Sequence, residues 1–94
     1  MLTGKRISDI VKAGIRDVLP SARISRVEVH DNIDSVGEEP SLAILVIFSK
    51  RPPLSGDDFF SLHESVQKRL LDAGEPRYPF LRYVGEKEFR GAVS

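Results

Sequence analysis

Residues 42–48 are seven apolar side chains in a row, Leu42-Ala43-Ile44-Leu45-Val46-Ile47-Phe48. A strand covered on one side alternates apolar and polar positions. This one is apolar in both phases: Leu42, Ile44, Val46 and Phe48 in one, Ala43, Leu45 and Ile47 in the other. The pattern predicts a strand over 41–49 that needs cover on both faces, in a chain with little material to supply it. Just upstream, residues 25–30 alternate, with Val27 and Val29 in one phase and Arg26, Glu28 and His30 in the other; this predicts a half-buried strand. Between the two lies an acidic, turn-rich stretch, 31–40, which reads as a long hairpin connection.

The remaining segments carry a different period. Ile7, Ile10, Val11, Gly14, Ile15 and Val18 recur at helical spacing and predict an amphipathic helix over 5–19, with Thr3 as N-cap and Pro20 as stop. Gly14 falls on its apolar side, where close packing against a strand explains a residue that costs about 1 kcal/mol relative to alanine. After Pro52 and Pro53, Ser55 caps a second helix, with Asp57 and Asp58 in its first turn and Phe59, Leu62, His63, Val66, Leu70 and Ala73 along one face. Gly74 suits the left-handed position beyond the helix end. Glu75-Pro76-Arg77 reads as a turn, and residues 78–84 as a third strand that Pro79 pushes to an edge, with Phe80 facing the core. Residues 85–94 show no period and read as a loosely ordered tail. The order α-β-β-α-β predicts one α+β domain spanning 1–94, a two-layer sandwich of a three-stranded sheet with both helices on one face. The second helix then makes a right-handed crossover between the last two strands. Ile7, Ile10, Val11, Ile15, Phe59, Val66 and Leu70 are the expected helical core.

Composition narrows the function classes. With 94 residues the chain buries about 60–65% of its unfolded surface, enough for one core but not for a core and a deep substrate cavity. It has no cysteine, which removes disulfides, thiolate metal sites and cysteine nucleophiles and fits a reducing, cytoplasmic setting. The first residues turn charged at once and do not read as a secretory leader, and no apolar run nears the ~18 residues that span a bilayer. No membrane partner is expected. The formal charge of zero is uneven. Residues 1–30 set six Lys/Arg against Asp9, Asp17 and Glu28, while 31–40 carry only Asp31, Asp34, Glu38 and Glu39 among charged residues. A dedicated nucleic-acid binder shows a stronger basic excess, but Lys5, Lys12 and Arg16 share the outer side of the first helix and form the candidate nucleic-acid face.

Candidate chemistry is sparse. His30, Asp31, Asp34, Glu38 and Glu39 offer oxygen and imidazole ligands, but not at the spacing of a known calcium loop; a solvated loop that blocks edge-to-edge pairing explains them as well. His30 and His63 lack the nucleophile and orienting acid that a catalytic set requires. The glycines are scattered, with no phosphate-cradling cluster. No catalytic residue, metal or cofactor is expected, and the chain reads as a non-enzymatic protein. Arg77-Tyr78-Pro79-Phe80-Leu81-Arg82-Tyr83 places three aromatics among arginines, a composition found at interaction hot spots.

The segments Asp34-Ser35-Val36-Gly37-Glu38-Glu39-Pro40-Ser41-Leu42 and Arg77-Tyr78-Pro79-Phe80-Leu81 resemble a group of small uncharacterised bacterial α+β proteins. In these, an acidic, glycine-containing hairpin leads into an apolar strand and an Arg-aromatic-Pro segment opens the last strand. The resemblance covers about 25–84 and implies a fold but no site. A weaker similarity, in element order and in Arg26-Val27-Glu28-Val29, is to ribosome-binding factor A and its KH-like fold; it implies RNA binding or ribosome association, although the chain has no Gly-x-x-Gly loop. The reading that follows from the residues is an interaction domain. It associates as a homodimer or docks a small protein partner through Ala43, Leu45 and Ile47 on the second sheet face, with Leu81 and Tyr83 contributing from the third strand. RNA binding through Lys5, Lys12 and Arg16 is the alternative.

Overall fold

The computed structural model describes residues 2–32 and 40–88. Helix α1 (Gly4–Val18) starts at Thr3, whose hydroxyl accepts from the Arg6 amide. Strands β1 (Ile24–Asn32) and β2 (Ser41–Phe48) follow, then helix α2 (Gly56–Asp72) and strand β3 (Tyr78–Gly85). Ser55 and Asp58 form a reciprocal capping box at the start of α2: each side chain accepts from the other's backbone amide. At the far end the Gly74 amide donates to Leu71 and the Glu75 amide to Leu70. This is a Schellman closure, and it places Gly74 at φ 89°, where a side chain is strained.

The apolar strand is central. β2 pairs antiparallel with β1 and parallel with β3, giving the order β1-β2-β3. One phase of β2, Leu42, Ile44, Val46 and Phe48, meets Ile7, Val11 and Ile15 of α1 and Leu62, Val66 and Leu70 of α2 in a single buried cluster. Both helices therefore cover one face of the sheet, as the two-layer reading requires. Among the described residues no helix is long and apolar enough to cross a membrane.

Several expectations are corrected. Gly14 packs not against a strand but against α2: a Cβ there would stand 3.0 Å from Val66 Cγ2 and 3.2 Å from Val66 Cα. The Ser65 hydroxyl donates to the Gly14 carbonyl at 2.9 Å, and Arg69 pairs with Asp17 across the same helix contact. Ile10 is only half-buried and Phe59 is 38% exposed, because each sits at the margin of its helix's buried stripe. Gly85 is buried and closes β3, and residues 86–88 form a helical turn, so the tail does not begin at 85. The largest correction is the phase of β3. In register, Leu81 lies beside Ile44 and Tyr83 beside Val46 on the helix-covered face, while Phe80 lies beside Ala43 on the other. The strand is apolar in both phases, and such a pattern leaves the choice of face to the tertiary pairing.

Candidate interaction surface

The second sheet face can be read row by row from the register. Ser41 of β2 stands beside Tyr78 of β3; Ala43 stands between His30 of β1 and Phe80; Leu45 stands between Glu28 and Arg82; Ile47 stands between Arg26 and Val84. Neither α1 nor α2 covers this face, since both lie on the other. Phe80 is 52% exposed and Tyr78 46% exposed. Their rings meet edge to face with centroids 4.9 Å apart, and Tyr78 continues onto His63 of α2 at 5.1 Å. An aromatic row thus wraps the outer edge of β3. Ala43 is too small to fill the space between its neighbours, and a hollow of about 240 Å³ opens there, lined by Glu28, His30, Ala43, Leu45, Phe80 and Arg82 among others. The Glu28 carboxylate lies 2.9 Å from the Arg26 guanidinium and 3.8 Å from the His30 imidazole.

The residues expected here divide into two groups. Ala43 and Leu45 are on the surface and half-buried. Ile47 has the same phase but is 1% exposed, so it offers nothing to a partner. Leu81 and Tyr83 are on the opposite face and pack against the core; Tyr83 stacks on Phe48 with ring centroids 6.1 Å apart and also meets Phe59. The Tyr83 hydroxyl is buried without a hydrogen-bond partner among the described residues, and burial raises its pKa to about 12. Phe80, Tyr78 and Arg82 take the places assigned to Leu81 and Tyr83. Their signal was the Arg-aromatic composition of the segment, and only the phase was misjudged.

A second polar arrangement escaped the sequence reading altogether. Glu75, beyond the glycine closure of α2, is 1% exposed. One carboxylate oxygen accepts from the Leu2 amide at 3.2 Å and from Arg77 Nη2 at 2.8 Å; the other accepts from Arg77 Nε at 2.9 Å and from the Arg77 amide at 3.3 Å. Arg77 also pairs with Asp31 of β1. The Arg77 hydrogen bonds outweigh desolvation and hold the Glu75 carboxyl at about 2, against an ordinary 4.5, while Glu75 raises the Arg77 pKa in turn. Every acceptor direction of the carboxylate is used, and the pair ties together the N-terminal segment, β1 and the turn before β3.

Elsewhere, His63 is half-buried beneath Tyr78, and His30 is exposed. Among the described residues no three metal-ligating side chains cluster; Asp34, Glu38 and Glu39 of the acidic connection lie outside the described residues. Lys5 and Arg16 are exposed on α1, Lys12 is half-buried, and all three stand opposite Ile7, Val11 and Ile15 around the helix, with exposed Asp9 interrupting them. At one end of the molecule Arg23, Lys50 and Arg51 rim a cleft of about 520 Å³ floored by Val18, Leu19, Pro52 and Pro53 among others. Compared with known proteins, the chain matches no family model, no curated protein sequence and no solved structure at a significant level.

Proposed function

We propose that this chain is a cytoplasmic, non-enzymatic interaction domain that works through its second sheet face. One observation carries the reading: two aromatics of an edge strand, Phe80 and Tyr78, stand about half exposed beside a hollow over Ala43 and Leu45. Contiguous apolar surface rimmed by charge is what association surfaces present, with aromatics and arginine at their energetic centre. Glu28, His30 and Arg82 supply the polar rim here. Site-specific photo-crosslinking tests it. A benzoylphenylalanine at position 80 is expected to capture a discrete protein product in cells, and the same group at position 60, on the exposed side of α2, is not. Equal capture from both positions, or none from position 80, removes the reading.

A second reading, RNA binding, rests on Arg23, Lys50 and Arg51 around the end cleft and on Lys5, Lys12 and Arg16 along α1. It requires affinity for structured RNA that falls steeply with salt and that Lys12→Glu and Arg16→Glu weaken.

A further inference from the structure

We infer, building on the sheet-face reading above, that the occupant of this face is a second copy of the chain, related by a twofold axis parallel to β2. The register supplies the argument. Glu28 and Arg82 occupy the same row on opposite flanks of Leu45. Adjacent strands are about 4.8 Å apart, so two strand spacings separate them, and no ion pair joins them within one chain. Arg82 is exposed and has no ion-pair partner among the described residues. Glu28, although beside Arg26 and His30, keeps acceptor capacity that two neighbours do not exhaust.

Two copies stacked face to face have two simple twofold arrangements with aligned strands. An axis running across the strands at Leu45 sets β1 over β1, so that Glu28 meets Glu28 and Arg82 meets Arg82. An axis along β2 sets β1 over β3, so that each Glu28 meets the other copy's Arg82. Stacked sheets lie about 10 Å apart, a gap that an extended Arg and a Glu bridge together. The second arrangement therefore satisfies both charges twice, and the first opposes like charges twice. The same axis sets Phe80 of each copy over the His30 side of the other, next to the hollow above Ala43. Three strands give a small interface, at the weak end of specific association.

Reciprocal charge reversal, read by analytical ultracentrifugation with circular dichroism as a control for folding, tests the pairing. The wild type is expected to dimerise in a concentration-dependent way. Glu28→Arg and Arg82→Glu are each expected to raise the dimer Kd about tenfold or more. An equimolar mixture of the two variants, and the double variant alone, are expected to recover dimerisation, since each Arg then meets a Glu. Should a reversal disturb the fold, Glu28→Gln and Arg82→Gln replace it, with weakened association expected from both. A wild type that stays monomeric up to about 1 mM overturns the second-copy inference, while the sheet-face reading still stands or falls by the crosslinks from position 80. A dimer that Leu45→Glu disrupts but charge reversal does not retains the face and overturns the axis. A dimer indifferent to Leu45→Glu overturns both.

Discussion

Tyr83 and Glu75 are two buried polar residues with opposite outcomes. The Tyr83 ring packs against Phe48 and Phe59, and its hydroxyl is buried without a hydrogen-bond partner among the described residues. An unmade buried hydrogen bond costs about 1–3 kcal/mol. Tyr83→Phe removes the oxygen and keeps the ring stacking, so urea denaturation should show stability unchanged or raised by about 1 kcal/mol; a clear loss would mean that the hydroxyl has a partner in solution. Glu75 is fully partnered, and its value is set by pH. Its carboxyl titrates at about 2 in the folded chain against 4.5 ordinarily. The unfolded chain takes up the proton first on acidification. The stabilisation, on the order of 3 kcal/mol, is complete above pH 4.5 and is lost as the pH falls toward 2. Glu75→Gln should lower stability at pH 7 by about 3 kcal/mol, because it removes the buried charge that Arg77 faces and leaves Arg77 only its pair with exposed Asp31. It should also flatten the wild type's loss between pH 4.5 and pH 2, and an unchanged acid limb would refute this role. Neither outcome was legible locally. Leu2, which donates to Glu75, is 73 positions away, and a Glu-Pro-Arg tripeptide has the same composition as a solvated turn.

Helices, by contrast, announced themselves. Thr3 and Ser55 cap where the sequence placed them, Gly74 takes the left-handed position, and the apolar stripes of α1 and α2 form the core. Their period is set by 3.6-residue geometry whatever lies opposite. What lies opposite was not set: Gly14 meets Val66 of α2 rather than a strand. Gly14→Leu should therefore cost about 1–3 kcal/mol by forcing the helices apart, measurable as a fall in denaturation midpoint. A neutral result would mean that α1 and α2 separate easily. β3 shows the limit of a period of two. With Tyr78 and Phe80 in one phase and Pro79, Leu81 and Tyr83 in the other, hydrophobicity does not choose the face; the parallel register with β2 does.

Among the described residues the chain is one helical layer on a three-stranded sheet, and the apolar residues on the two sides of β2 should respond differently to mutation. Leu70, 1% exposed in the helix-side cluster, should cost about 2–5 kcal/mol when truncated to alanine. Leu45, half-buried on the far face, should accept Glu with little loss of fold but with loss of association, read by circular dichroism and sedimentation on the same sample. If Leu45→Glu unfolds the chain, that face belongs to the core. The sequence by itself determined the element order, the helix caps and the strand character of the apolar run, because backbone geometry and burial act on residues a few positions apart. Only the tertiary structure decided which phase of β3 faces outward, that Ile47 is already covered, that Glu75 and Arg77 form a buried clamp to Asp31, and that Glu28 and Arg82 share a row across Leu45. Each of these depends on the pairing of segments distant in the chain, and local periodicity carries no record of that pairing.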